Sequence, residues 1–213
     1  MTTTTSSTPV TTRPSVASLA TDLLRQGWTG LRALLVLTVV LGVVYPVVVW
    51  AVGQLAFGDR ADGQLVQQDG TVVGSALIGQ PFDAETAPGL FHSRPSAGGY
   101  DPLATAPSNL GPSDPDLVRS IEQRRADVAR TNGVAPSAVP PDAVTASGSG
   151  VDPYVSPAYA ALQVERVAEA SDLTVGEVRT LVAEHTHGRS LGFLGDPKVD
   201  VLQLNLAVLA AGR

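Results

Sequence analysis

His92, His185 and His187 are the residues that first invite a metal or an acid–base role. His185 and His187 lie two apart at a helix end, so on a helix they diverge by about 200° and cannot readily share an ion. Imidazoles there complement the negative end of the helix dipole, and no metal ligand set is assigned. His92 stands alone in Phe91-His92-Ser93-Arg94-Pro95, where a hydrogen-bonded structural role is expected. With no cysteine in the chain, thiolate catalysis and thiolate zinc sites are excluded. Serine, histidine and aspartate are present, but no G-x-S-x-G elbow and no S-x-x-K occurs, so a hydrolase lacks its nucleophile motif. No G-x-x-x-x-G-K-[ST] phosphate loop exists, and Lys198 is the only lysine. The small-residue run Thr145-Ala146-Ser147-Gly148-Ser149-Gly150 has amides that could cradle an anion, although a tight hydroxyl-rich loop explains it as well. Asp152 beside it could cap a backbone or hold a cation. On the second helix of the soluble part, Gln163, Arg166 and Ala170 share a stripe near Glu165 and Glu169, which spacing alone reads as a solvated face.

These side chains need elements to position them. Residues 33–57 carry no charge, and 25 residues of helix span about 37 Å, enough to cross a bilayer with a modest tilt. The run and the tail before it are both longer than a cleaved signal peptide has. Arg13, Arg25 and Arg32 precede the run, whereas Asp59, Arg60 and Asp62 follow it, and the positive-inside rule then puts the N-terminus in the cytoplasm. Trp28 and Phe57 fall where interfacial aromatics belong. Thr38, Gly42, Pro46 and Gly53 recur at spacings of four, four and seven, a stripe on which small residues would let a partner helix approach.

The Ser/Thr-rich residues 1–12 have too little apolar area to offset chain entropy and read as a disordered tail. Residues 71–78 read as a strand, and residues 83–115, rich in proline and glycine, as a long irregular loop. Three helices follow. The first opens on Ser113 as cap with Pro115 in its first turn and ends near Asn132-Gly133. The second starts at Ser156-Pro157 and runs to about Ala170. The third has a Thr174/Glu177 capping box, a core stripe through Val175, Val178 and Leu181 or Val182, and Gly188 as its stop. Residues 199–209 alternate apolar and polar at their start and read as a final strand.

The fold class is therefore an α+β soluble domain anchored by a single N-terminal transmembrane helix. Its parts are residues 1–30 as a disordered cytoplasmic tail and basic flank, 31–57 as the membrane helix, and 58–213 as the extracytoplasmic domain. With 14 basic against 20 acidic residues and a pI near 4.9, the chain lacks the cationic face that nucleic acid needs.

Several strings carry a more specific signal. Gly74-Ser75-Ala76-Leu77-Ile78-Gly79-Gln80, Phe91-His92-Ser93-Arg94-Pro95-Ser96-Ala97, and Ser108-Asn109-Leu110-Gly111 with Asp114-Pro115 occur in that order. Val144 to Gly150 with Asp152-Pro153, Gln163-Val164 with Arg166-Val167-Ala168, and Leu191-Gly192-Phe193-Leu194-Gly195 through Leu202-Gln203-Leu204-Asn205-Leu206 complete the series. From about residue 31 onward the chain resembles the C-subunit family of the Kdp potassium-transporting P-type ATPase. Glu165 departs from the proline that the family carries before the arginine.

The resemblance implies a non-catalytic accessory subunit of a potassium-uptake complex in the cell membrane. Its partners would be a channel-like potassium subunit, the P-type ATPase catalytic subunit and a small single-helix subunit. It implies a role in assembly and as a catalytic chaperone that raises ATP affinity, and it links the glutamine at Gln163 to nucleotide. No cofactor is expected to be held firmly, and ATP would act through the complex. An acidic domain outside the cell cannot touch cytoplasmic ATP, so either the topology is the reverse, or any such effect travels as a coupling free energy, or the domain instead concentrates cations at the ion entrance. The alternative is an independent anchored extracytoplasmic binding protein or hydrolase.

Overall fold

The computed structural model describes residues 16–212, and the expected disorder of residues 1–12 lies outside them. The chain divides into two compact units at Ala61/Asp62.

The first unit is one long apolar helix. It comprises α1 (Val16–Val39), a wide π turn (Val40–Val44) and α2 (Tyr45–Ala61). Pro46 explains the wide turn. Proline has no N–H for the carbonyl of Gly42 four residues back, and its ring would collide with that carbonyl in a regular α-helix. Inserting a π turn relieves the collision, and the Tyr45 N–H accordingly donates to Val40 O. The helix breaks again at Phe57 (φ −142°, ψ 37°), where the charge-free run ends. Hydropathy and length make residues 19–61 the one membrane-spanning candidate among the described residues. Arg32 lies 5.1 Å from the centre of the Trp28 ring at its N-terminal flank, a cation–π pair suited to an interface.

The second unit is the α+β domain. It opens with the hairpin β1 (Leu65–Gln68) and β2 (Thr71–Ser75). The Asp69-Gly70 turn has φ of +52° and +78°, the left-handed pair that two-residue hairpins favour. Sequence reading anticipates only β2 and extends it to residue 78. A bulge between Val66 and Gln67 shifts the pairing, and the chain leaves the ladder at Ser75. Residues 76–114 contain no helix or strand apart from one bridge between Ser75 and Ile78.

Helix α3 (Pro115–Asn132) is capped by Asp114 and not by the expected Ser113: the Asp114 carboxylate accepts from the Asp116 N–H. Gly133, at φ +66°, closes its C-terminus. Helix α4 (Pro157–Ala170) has its Ser156 cap and first-position proline, and α5 (Val175–Glu184) its Thr174/Glu177 capping box. The stop of α5 differs from the expectation. The helix ends at Glu184, before Gly188, because Thr186–His187 leaves to form strand β4.

The C-terminal run is the larger correction. Only Lys198–Asp200 is a strand (β5), and Val201–Ala211 is helix α6. Asp200 is an N-cap, accepting from Gln203 N–H at 2.9 Å, and leucine and alanine after it favour helix over strand. The apparent alternation also contains the helical spacing of Val201, Leu204, Asn205 and Val208, all buried. Strand β5 is the centre of a small antiparallel sheet between β3 (Tyr154–Val155) and β4. Val155 and Val199 pair on it and point into the core, where they join Phe91, Val164, Val167, Val178 and Leu204.

Gly79 is required by close approach. A Cβ on Gly79 would lie 2.5 Å from Asp152 O and 2.6 Å from Tyr100 Cε1, whereas one on Gly148 would meet nothing. Gly79→Ala should therefore destabilise the domain by about 1–3 kcal/mol through overpacking against backbone. Gly148→Ala should stay within about 0.5 kcal/mol of wild type in denaturant unfolding.

Candidate functional site

The residues that sequence reading singled out converge on one extended segment, 91–96, which has no strand beside it. Phe91 is fully buried and His92 is 7 % exposed, so their backbone polar groups have little water to bond. Two primary amides replace the missing strand. Asn205 on α6 accepts from Phe91 N–H at 2.8 Å and donates to Phe91 O at 2.9 Å. Gln163 on α4 accepts from His92 N–H at 2.7 Å and donates to His92 O at 3.3 Å. Each amide thus reproduces the double bond that a neighbouring β residue would make. Leaving four buried backbone groups unpaired would cost about 1–3 kcal/mol apiece.

The reading of this face as solvated holds for Glu165, Glu169 and Ala170, which are exposed, and is corrected for Gln163. Gln163 is fully buried. Its oxygen also accepts from Arg166 Nη2 at 2.8 Å, so both acceptor positions and one of two donors are in use. Arg166 then ties α4 to the rest: Nε donates to Asn132 Oδ1 at 2.9 Å, and Nη1 donates to Pro88 O. Burial of Gln163 is set by the long loop that folds over it, and helix periodicity alone contains no sign of it.

The rest of the segment is held as firmly. Ser93 N–H donates to Phe82 O and its hydroxyl to Gln80 O, each at 2.8 Å. Arg94 pairs with Asp152 at 2.8 Å, which assigns Asp152 an internal partner; its other oxygen caps Tyr154 N–H. Ser96 donates to Gly150 O at 2.6 Å, and Ser147 N–H to Pro95 O at 3.3 Å. The 145–150 run is therefore a tight loop laid against segment 91–96. Within it, Ser147 Oγ accepts from Gly150 N–H, and Gly150 sits at φ +75° with Ala106 O pressed close.

His92 is neutral. Burial, then the Arg166 charge, push its pKa down to about 4, and its Nε2 donates to Ala87 O at 3.2 Å. The other histidines stand apart. His185 caps α5 and contacts Leu181 O through Nδ1, while His187 meets the Tyr154 ring edge-on. No group of three or more His, Cys, Asp or Glu side chains suited to a metal exists among the described residues.

Thr38, Gly42, Pro46 and Gly53 lie on the first unit. Space around Gly42 is open, and Gly53 approaches only the Ala61 side chain. Asn205 is the key residue that sequence reading passes over. A lone asparagine inside an apolar run is the available signal, since a buried amide must find partners.

Gln163→Ala should lower stability by about 2–5 kcal/mol, because it strands His92 N–H, His92 O and Arg166 together. Asn205→Leu, of similar size, should cost a comparable amount. Stability should also depend on pH through His92. Its folded pKa lies below the unfolded value of about 6.5, so the neutral form's advantage is complete above pH 6.5. That advantage is lost as the pH falls to about 4, a change on the order of 3 kcal/mol. Replacing His92 by glutamine should flatten the chemical-denaturation profile across that window.

Comparison with known proteins finds relatives over most of the chain. The family model described as the c chain of K+-transporting ATPase matches residues 27–210. The chain is 58 % identical over 193 residues to the potassium-transporting ATPase KdpC subunit of Kineococcus radiotolerans, covering 90 % of this chain and 96 % of that protein. It is 48 % identical to the subunit of the same name from Mycobacterium bovis, covering 86 % and 97 %. The Gemmatimonas aurantiaca subunit is 50 % identical over 84 % of this chain and 91 % of its own length. The chain belongs to the KdpC family, the c chain of the K+-transporting ATPase.

Proposed function

We propose that this chain is a non-catalytic accessory subunit of an ATP-driven potassium-uptake complex. It assembles with a channel-like potassium subunit, the P-type ATPase subunit that hydrolyses ATP, and a small single-helix subunit. Its N-terminus is cytoplasmic and its α+β domain extracytoplasmic. Support comes from the family match over most of the chain and from arginines before the span against aspartates after it. The acidic balance of the domain also suits a position at a cation entrance, within the roughly 8 Å reach that physiological salt allows.

The observation that carries this reading is the state of Gln163. Its amide is buried and bonded to His92 and Arg166, a poor arrangement for meeting a nucleotide base. In this proposal Gln163 holds the domain's shape, and any change in ATP affinity passes through contacts between subunits as a coupling free energy. ATP is no firmly bound cofactor of this chain.

Assembly in the membrane uses the stripe of Thr38, Gly42, Pro46 and Gly53. A Cβ on Gly42 would meet no atom within 4 Å outside the neighbouring helix backbone, so Gly42→Leu serves to report on a partner. That variant should reduce recovery of the other subunits in mild detergent, while Val43→Leu should not. Equal recovery of both would remove the stripe from the interface. For topology, a reporter active only in the cytoplasm, fused after Arg213, should be silent; strong activity would reverse the orientation.

A further inference from the structure

Beside segment 91–96 the domain holds an open cavity of about 320 Å³ that Gln163 does not line. Its walls include Phe82, Arg94, Tyr100, Arg124, Val128 and Tyr159. The wall is uneven in hydrogen-bond capacity. Its two carboxylates each have one oxygen engaged: Asp83 Oδ1 accepts from Glu85 N–H, Thr86 N–H and the Thr86 hydroxyl, and Asp127 Oδ1 pairs with Arg130 at 2.6 Å. The guanidiniums keep spare donors. Arg124 makes one hydrogen bond, from Nη1 to Val144 O at 3.2 Å, and has no carboxylate partner among the described residues. Arg94 Nε is the one buried side-chain polar atom without a partner among them. Tyr159, 2 % exposed, is held protonated by burial, which pushes its pKa far up, and its hydroxyl is a further donor. The spare donors of Arg124, Arg94 and Tyr159 beside apolar walls suit an acceptor-rich guest.

Charge narrows the class. Arg94 is neutralised by Asp152 and Asp127 by Arg130. Asp83 is exposed to solvent, which screens it. Arg124 is then the one unmatched guanidinium of the wall, and one unmatched charge favours a monoanion over a dianion such as sulfate. Phe82 and Val128 suit a short apolar stem. We infer that this cavity binds a singly charged carboxylate on a short apolar stem, held by Arg124. The carboxylate belongs either to a free small molecule or to an acidic side chain presented by another subunit. This inference is separate from the reading of Gln163 and does not depend on it.

The test uses the full chain in detergent with benzoate as the probe. Benzamide serves as its neutral isostere and inorganic sulfate as the dianion. Benzoate should raise the melting temperature and bind with a Kd at or below the millimolar range, with benzamide and sulfate ineffective. Arg124→Gln should weaken benzoate by at least about tenfold, and Arg124→Lys by less. That result assigns the site to free carboxylates. If benzoate has no effect, but Arg124→Gln reduces recovery of partner subunits at an unchanged melting temperature and Arg124→Lys restores it, the carboxylate is a partner's side chain and the inference stands. If neither benzoate binding nor subunit recovery depends on Arg124, the inference is wrong. Wild-type recovery, measured alongside, reports on complex membership independently.

Discussion

An extended segment that enters a protein core alone, with no strand on either side, has backbone amides that nothing regular can satisfy. Segment 91–96 is such a segment, and the domain is arranged around satisfying it. Asn205 serves Phe91 from α6, and Gln163 serves His92 from α4. Because N–H and C=O groups of successive extended residues point to opposite sides, the two amides must come from two different elements. That requirement fixes where α4 and α6 sit relative to the long loop. Arg166 and the neutral His92 follow from it: Arg166 holds the Gln163 oxygen and reaches Asn132 and Pro88, and its charge, after burial, keeps His92 unprotonated. The energy at risk in either amide is several backbone hydrogen bonds, larger than any exposed ion pair in the domain.

The membrane helix answers a different constraint. A lone span has no core to bury in, and its large apolar side chains in the charge-free stretch are exposed. Pro46 widens the helix into a π turn, and the group its ring would crowd in a regular helix is the Gly42 carbonyl. The same open surface that makes the helix featureless within its own chain makes it available to another helix.

Much of this was legible in the residues, and the failures have physical causes. Helix starts at Ser156 and Thr174 were readable because caps act locally through one or two hydrogen bonds. The cap at Asp114 was misplaced by one residue, since Ser113 and Asp114 are both good caps and only the backbone chooses. Residues 199–209 misled because Asp200 serves as both strand end and helix cap, and the alternation that follows is compatible with a buried helix face. The burial of Gln163 could not be read from α4 alone. It depends on a loop more than 70 residues earlier in the chain, a contact with no periodicity to announce it. Family strings located that loop and that glutamine as a pair without revealing that they bond to each other.

The account's central claim is that Gln163 works inside the domain and does not contact nucleotide. The most direct measurement is a calorimetric titration of the full chain in detergent with ATP, for wild type and for Gln163→Glu, which keeps the acceptor and the size. The account predicts no saturable binding tighter than about 1 mM in either protein, equivalent to about 4 kcal/mol at most. It also predicts a lower melting temperature for the variant, which cannot donate to His92 O. Micromolar ATP binding by wild type that is abolished in a variant of unchanged melting temperature would contradict it.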